Sequence, residues 1–160
     1  MKVLIVSDTH KRNDNYFKVL QKAGPFDMVV HCGDAQGSEE LLKEGTNCPM
    51  QIVLGNNDLF TDLPKELKFN IGRYKVWVTH GHHYGVYLGT NIIKNEAREK
   101  GADIVFFGHT HVPIVDMTDS DVIAVNPGSI SYPRQFGYRP SYVIMEVDRF
   151  DEIHFSIAYL

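Results

Sequence analysis

The chain has 160 residues and can bury roughly two-thirds of the surface that its unfolded form exposes, so a single domain spanning residues 1–160 is expected. Its net charge of −4 argues against sequence-independent binding to the phosphate backbone of nucleic acid. Two cysteines are too few for a disulfide framework, and the first apolar run is too short for a signal peptide or a membrane span, so a reduced cytoplasmic location without membrane attachment is expected.

Alternating strand and helix patterns occupy the first hundred residues. Short runs rich in β-branched and aromatic residues predict buried strands. They lie at residues 3–7, 28–32, 51–54, 75–79 and 103–107. Apolar residues at helical spacing predict one helix over residues 16–23, a weaker one starting at Ser38 and one from Thr90 to Gly101. The chain therefore begins as β-α-β-α-β.

The pattern changes after Gly101, where further strands are predicted without intervening helices. These strands lie at residues 112–115, 122–125, 141–147 and 153–159, with a turn at residues 119–121. Successive strands without helices predict a second, largely antiparallel sheet region packed on the first.

Metal-binding side chains follow each of the first five predicted strands. In chain order they are Asp8 and His10, Asp34, Asn56, His80, and His109 and His111. Ligands of α/β sheets gather beyond the carboxyl ends of the strands, so these side chains are expected at one rim. Imidazole, carboxylate and amide oxygen, without a thiolate, suit Mn²⁺, Zn²⁺, Fe²⁺ or Ni²⁺ better than a structural cysteine site.

The number of these side chains is larger than one ion needs, which suggests two. If Asp34 bridged two divalent ions, the two carboxylates and a shared hydroxide would leave one net positive charge. Such a centre would attract an anionic phosphoryl group.

In order and spacing, these motifs resemble the signature of the calcineurin-like metallophosphoesterase superfamily: D-x-H, G-D, G-N-H-[D/E], H and G-H-x-H. The turn at residues 126–129 and the segment at residues 131–134 resemble its compact bacterial and archaeal phosphodiesterase branch, which is related to the retromer scaffold subunit. The resemblance extends from Asp8 to about Arg134. It implies an α/β (α+β) fold, a four-layer αββα sandwich with two mixed β-sheets.

The same resemblance assigns the ligands of two divalent ions, with Mn²⁺ expected and Ni²⁺, Zn²⁺ or Fe²⁺ as alternatives. The first ion would be held by Asp8, His10, Asp34 and His111, and the second by Asp34, Asn56, His80 and His109. Asp58 would support these ligands without binding an ion.

The implied reaction is hydrolysis of small phosphodiesters by a metal-activated hydroxide that attacks phosphorus in line. Asp34 and Asn56 would be catalytic through the metals. The superfamily usually has a His where this chain has Asn57, and an amide cannot act as a general acid, so Asn57 is expected to contact substrate and His82 to replace the acid in part. Arg134 is expected to bind a phosphate.

Other classes of function stay open. The retromer subunit suggests a non-catalytic scaffold with a relic site, although a relic would be expected to lose ligands and all seven positions retain metal-competent side chains. A phosphoprotein phosphatase fits poorly, because the chain leaves little room for loops around a protein substrate. The resemblance also makes a homo-oligomer plausible. His31, Trp77, Phe106 and Phe107 are expected to be structural residues of the core.

Overall fold

The computed structural model describes residues 1–119 and 121–160, which form ten strands, three α-helices and one 3₁₀ turn. Ser120, in the turn predicted at residues 119–121, lies outside the described residues. The elements are β1 (Lys2–Val6), α1 (Asp14–Ala23), β2 (Met28–His31), α2 (Glu39–Glu44), β3 (Met50–Ile52), β4 (Glu66–Ile71), β5 (Tyr74–Thr79), a 3₁₀ turn (Val86–Leu88), α3 (Asn91–Glu99), β6 (Ile104–Phe106), β7 (Pro113–Asp116), β8 (Ile123–Pro127), β9 (Ser141–Val147) and β10 (Ile153–Tyr159).

The strands form two mixed sheets of five strands each. The first sheet has the order β10-β9-β1-β2-β3, and the second has the order β4-β5-β6-β8-β7. Neighbouring strands are parallel from β1 to β3 and from β5 through β6 to β8, and antiparallel at the other pairings. Both sheets are therefore mixed, as the resemblance implied.

The two sheets pack face to face and the helices cover their outer faces. Side chains alternate along a strand, so Val3 and Ile5 of β1 point toward the second sheet while Leu4 and Val6 point outward. Outward residues of the first sheet pack against α1 and α2, and outward residues of the second sheet, with Trp77 among them, pack against α3. The four-layer αββα prediction is confirmed.

The distribution of the last four strands between the sheets differs from the sequence prediction. They do not form a separate antiparallel region: β7 and β8 complete the second sheet, whereas β9 and β10 extend the first. The reason is long-range pairing, because β9 lies antiparallel to β1 with Lys2 opposite Glu146. The amino terminus also donates to the carbonyl of Val147 at 2.8 Å.

One strand, β4, was not predicted. Its sequence, Glu66–Ile71, alternates polar and apolar residues at the edge of the second sheet and contains no continuous apolar run. Trp77 of the neighbouring β5 donates its indole N–H to Glu66 at 3.1 Å, and Tyr84 donates its hydroxyl to the same carboxylate. This network fastens the edge strand and the loop that follows β5.

The residues predicted to be structural lie in the core. Trp77, Phe106 and Phe107 are buried. His31 is fully buried; its Nδ1 accepts the Gly33 N–H at 3.1 Å, so its Nε2 carries the proton and donates to Thr9 Oγ1 at 3.1 Å. Burial lowers the pKa of His31 to about 4.

Two other expectations concern the cysteines and the membrane. Cys32 and Cys48 are both free thiols, as expected. No helix in the described part of the chain combines the length and the apolar character needed to cross a bilayer.

Candidate metal centre

The loops that carry the predicted ligands have a strained backbone. Five of the seven have φ in the left-handed region: Asp8 at 57°, His10 at 46°, Asp34 at 62°, His109 at 68° and His111 at 61°. Such conformations cost about 1–3 kcal/mol per residue and cluster at functional sites, where the surrounding structure holds them in place.

Hydrogen bonds between loops supply that support. The Asp8 N–H donates to the Gly33 carbonyl at 3.0 Å, which joins the loops after β1 and β2. The Gly108 N–H donates to the His80 carbonyl at 3.0 Å, which joins the loops after β6 and β5. Ser129 Oγ donates to the Asp8 carbonyl at 2.9 Å and so connects the two sheets. The rim is therefore a single set of interlocked turns.

Two glycines of the motifs permit close approach of these loops to the carboxylates. A Cβ on Gly55 would overlap Asp34 Oδ1 and the Asp34 amide nitrogen. A Cβ on Gly108 would overlap Ser7 Oγ and lie 2.9 Å from Asp8 Oδ2. A side chain at either position would displace an acid of the site.

The two carboxylates lie between the imidazoles. Asp8 Oδ1 is 3.7 Å from His10 Nε2, 3.1 Å from His111 Nε2 and 4.0 Å from His80 Nε2. Asp34 Oδ2 is 3.8 Å from His10 Nε2 and 3.5 Å from His80 Nε2, so it faces both sides of the cluster. Two compact groups result: one holds Asp8, His10 and His111, and the other holds Asp8, Asp34 and His80.

The imidazoles are oriented with a lone pair toward the centre. His80 Nδ1 lies 2.7 Å from the Cys32 carbonyl and His111 Nδ1 lies 2.6 Å from the Tyr132 carbonyl. A carbonyl can only accept, so each Nδ1 donates and each Nε2 of the neutral ring is left as an acceptor. Such backbone partners typically orient a metal-binding imidazole.

Hydrogen-bond acceptors therefore face one another at the centre, with too few protons between them for each to be hydrogen-bonded. Asn56 Oδ1 lies 3.0 Å from His80 Nε2, and the Nε2 atoms of His10 and His111 lie 3.3 Å apart. Asp8 Oδ1 is buried and has no hydrogen bond from any described residue. Divalent cations held by these nitrogen and oxygen atoms would remove this conflict, so the donor set fits the group that the sequence implies.

The pKa values reflect the same crowding. Burial raises the pKa of Asp8 and of Asp34, but attraction to the protonated form of the adjacent imidazoles outweighs it, together with the Asn57 hydrogen bonds at Asp34, so both pKa values fall below the ordinary range. Burial lowers the pKa of His80, but the two carboxylates outweigh it and the pKa is raised. The carboxylates are thus ionised and available as ligands at neutral pH.

Two residues hold Asp34 in place. Asp58 accepts the backbone N–H groups of Asp34 at 2.8 Å, Gly55 at 2.7 Å and Gln36 at 2.6 Å, consistent with a supporting role. Asn57 donates its backbone N–H to Asp34 Oδ1 at 2.8 Å and its side-chain amide to Asp34 Oδ2 at 2.7 Å. Asn57 therefore faces the site, but its amide is engaged by a carboxylate.

His109 and His82 lie farther from the centre. His109 is outside both compact groups of the described residues, and its ring centroid is 5.2 Å from that of His80. The His82 ring packs on His83, with ring centroids 3.9 Å apart, lies 5.4 Å from His80 and is not among the residues that line the cleft. Burial, with neighbouring imidazoles, lowers the pKa of His82 to about 4.

The centre opens into a cleft of about 470 Å³. Arg134 lines it, donates its guanidinium to Tyr87 Oη at 2.8 Å and donates its backbone N–H to the His111 carbonyl at 3.1 Å. Sequence reasoning missed Tyr87 and Tyr132, which are 61% and 40% exposed at the mouth of the cleft. Tyr132 stands two residues before Arg134 and carried a local signal, whereas nothing in the sequence around Tyr87 pointed to the site.

A comparison with known families shows to which family the chain belongs. The model of the calcineurin-like phosphoesterase superfamily domain matches residues 1–149. The chain belongs to the calcineurin-like phosphoesterase superfamily. It is 34% identical over 135 residues to the probable metallophosphoesterase YsnB of Bacillus subtilis, covering 84% of this chain and 78% of YsnB. It is 31% identical over 146 residues to the phosphodiesterase MJ0936 of Methanocaldococcus jannaschii, covering 80% of this chain and 83% of MJ0936.

The fold of this phosphoesterase also occurs in a trafficking protein. The crystal structure of a D62A variant of Vps29 from Entamoeba histolytica superposes with a TM-score of 0.79 at 20% identity, covering all of this chain and 99% of the other. The superfamily is one of metal-binding hydrolases, and the observed donor set suits divalent metals.

Proposed function

We propose that the protein is a phosphodiesterase that hydrolyses small phosphodiesters at two divalent metal ions, with Mn²⁺ as the expected metal, in the cytoplasm. One observation carries the proposal: the buried Asp8 Oδ1 has no hydrogen bond among the described residues and lies 3.1 Å from Nε2 of His111, a residue that lines the cleft. The relationship to the phosphodiesterase MJ0936 supports a diester as substrate.

The ligand sets are part of the proposal. Asp34 faces both halves of the cluster, which supports a bridging role between the ion held with Asp8, His10 and His111 and the ion held with Asn56, His80 and His109. When bound, the two ions would lower the pKa of a water nucleophile and stabilise charge on the phosphoryl oxygens.

The remaining side chains would orient the substrate. The Arg134 guanidinium, at the rim and fixed by Tyr87, can bind phosphoryl oxygens, and the Asn56 amide N–H₂ can donate to the same group. Asn57, which lies beside Asp34, would contact the substrate.

His82 is proposed, from the sequence, to replace the proton donor in part; its pKa of about 4 leaves the ring largely neutral near pH 7, so this contribution would grow as the pH falls. His82→Gln is expected to slow alkyl diesters, which need a protonated leaving group, more than nitrophenyl diesters. Equal slowing of both substrates would contradict the role.

The first test is hydrolysis of bis(4-nitrophenyl) phosphate and of 4-nitrophenyl phosphate, with Mn²⁺ or with chelator. We expect metal-dependent diester turnover that exceeds monoester turnover, and a loss of more than about 100-fold in Asp34→Asn, because a shared ligand is removed. Asp151→Asn, a matched change in an exposed turn, should keep wild-type activity.

The second candidate is a scaffold. It is favoured by the fold shared with Vps29 and by apolar side chains such as Phe60 and Phe136, which project fully into solvent. Bound metal without turnover of either ester, by a folded wild type, would make the scaffold the leading function. Equal turnover of monoester and diester would instead leave a phosphoesterase without diester preference.

A further inference from the structure

A second concave surface lies beside the metal cleft and is lined by cations. This basic groove has a volume of about 420 Å³ and is lined by Lys11, Arg12, Asn13, Asp14, Asn15, Lys18 and Ser131. It belongs to the start of α1 and to the loop between His10 and α1.

The charge of the basic groove opposes that of the whole chain. Lys11, Arg12 and Lys18 are exposed, and no carboxylate of residues 1–119 or 121–160 forms an ion pair with them. Asp14 is the acid that lines the groove, which leaves two positive charges in excess on a chain whose net charge is −4. Three clustered cations next to one acid favour an anionic ligand.

The basic groove and the metal cleft share one wall. The Arg12 guanidinium stacks over the Tyr132 ring at 4.5 Å, and the Tyr132 ring meets the His10 ring edge-on at 5.3 Å. Ser131, which lines the groove, donates its hydroxyl to the Arg12 carbonyl at 2.8 Å and precedes Tyr132, which lines the cleft. One aromatic ring therefore separates the nearest cation of the groove from a ligand of the metal centre.

Contact with the Tyr132 ring gives Arg12 a defined position. Cation–π attraction holds the guanidinium over the aromatic face, and its N–H groups can bind phosphate oxygens bidentately. Lys11 and Lys18 add positive charge, and a lysine ammonium does not require a particular orientation of the phosphate. The groove thus offers an arginine and two lysines to a phosphate, next to the wall that it shares with the cleft.

We propose that the basic groove binds a second phosphate of the substrate, so that the preferred substrates are small phosphodiesters that carry a further phosphate. A nucleoside with a diester on one side and a phosphate monoester on the other has this chemistry. The proposal rests on the phosphodiesterase function proposed above, because the metal centre would hold the diester. Binding energy from the remote phosphate would raise kcat/KM for such substrates.

The test uses two probes that differ by one phosphate: thymidine 3′-(4-nitrophenyl phosphate) with and without a 5′-phosphate. Both release 4-nitrophenol from the same diester in the Mn²⁺-loaded protein. We expect kcat/KM to be roughly tenfold higher for the phosphorylated probe, a difference of about 1.4 kcal/mol, and to fall with added salt.

The variant for this test is Arg12→Ala/Lys18→Ala. It should bring the ratio of the two probes close to one, mainly through KM; a change in the shared Tyr132 wall would affect both probes and cancel in the ratio. Lys22→Ala, which removes an exposed lysine from the last turn of the same helix outside the basic groove, should keep the wild-type ratio. Thermal unfolding of each variant checks that it is folded.

A wild-type ratio of one overturns the proposal, even if added inorganic phosphate changes the rate, because the groove would then hold a separate ion. A ratio that survives in the double variant overturns it too. If the wild type turns over neither probe, the proposed phosphodiesterase function is contradicted. Calorimetry of nucleotide binding then tests separately whether the groove binds a phosphate. Tighter binding of thymidine 3′,5′-bisphosphate than of thymidine 3′-phosphate, lost in the double variant, would support the groove, and equal affinities would overturn it.

Discussion

Asp34 shows how single residues set up this site. Its φ of 62° turns the side chain back toward the cluster, Asp58 accepts its N–H and Asn57 donates to both of its oxygens. A carboxylate held by two donors and a strained backbone is positioned before any ligand arrives, so little conformational entropy is lost when it binds.

Replacing Gly55 should disturb that arrangement without touching a ligand. A methyl group in Gly55→Ala overlaps Asp34 Oδ1, so Asp34 must shift, and we expect Mn²⁺ affinity measured by calorimetry to fall by about 10–100-fold. Ser156→Ala is the control, since it changes one small side chain at an exposed position of β10 that is not part of the centre. Equal Mn²⁺ affinity of Gly55→Ala and wild type would contradict the role assigned to this close approach.

His31 predicts a pH dependence of stability. Its folded pKa of about 4 lies below the unfolded value of 6.5, so the unfolded chain binds the proton more tightly and protonation favours unfolding. The stabilisation is fully present above pH 6.5 and is lost as the pH falls toward 4, by roughly 3 kcal/mol. The carboxylates Asp8 and Asp34 act at lower pH, below their ordinary value of 3.8.

The measurement compares denaturant unfolding of the wild type and His31→Gln from pH 7.5 to pH 4. Gln cannot titrate, so the variant should lose less stability over this range, whatever its stability at pH 7.5. Parallel pH profiles would show that His31 does not carry the acid sensitivity.

Much of the site at residue scale could be predicted because ligands follow strands immediately. Asp8 and His80, for example, stand one or two positions beyond β1 and β5. The bond between Asn57 and Asp34 and the place of Tyr87 could not be predicted, since both depend on loop conformations that join distant parts of the chain.

At the scale of elements, α3 is anchored by a buried cation. Lys94 is 1% exposed and contacts Asp116 at 2.8 Å, Asp119 at 3.5 Å and Thr118 at 3.2 Å. These partners lie at the end of β7 and in the chain after it, so one ion-pair network ties the outer helix to the edge of the second sheet. The network holds a buried charge that is costly to leave unpaired.

Lys94→Ala should therefore lower the free energy of unfolding by about 3 kcal/mol or more, because Asp116 stays largely buried without its partner. Lys43→Ala, which breaks an exposed pair with Glu40 on α2, should leave the melting temperature almost unchanged. Similar melting temperatures of the two variants would contradict the buried role of Lys94. Circular dichroism during heating is sufficient for both.

The elements themselves were predictable where apolar runs or helical spacing were strong. The predicted bounds of β9 and β10 match the structure, and α3 begins directly after Thr90. β4 was not predicted because an edge strand has one solvated face. The membership of each strand in a sheet was not predicted because pairing is set over long sequence distances.

At the scale of the whole molecule, the two sheets share one inner core. Val30 and Val143 from the first sheet pack in the same cluster as Val78 and Phe106 from the second. The last strands also close onto β1, so the amino-terminal and carboxy-terminal parts of the chain are mutually dependent.

This arrangement supports the prediction of one domain over residues 1–160 and predicts cooperative unfolding. Trp77 is the single tryptophan of the chain, so its fluorescence reports on the second sheet, whereas far-ultraviolet circular dichroism reports on both sheets. The two signals should give the same urea midpoint. Separated midpoints would show that the sheets unfold independently and would contradict a single domain.

The interlocked rim joins loops from both sheets, and this has a mechanical consequence. Asp8 and Asp34 follow strands of the first sheet, whereas His80 and His111 follow strands of the second, so sliding between the sheets would change the distances between the ligands of each proposed ion. Core substitutions far from the cleft, or hydrostatic pressure, would then change the ligand geometry and, through it, the rate of hydrolysis.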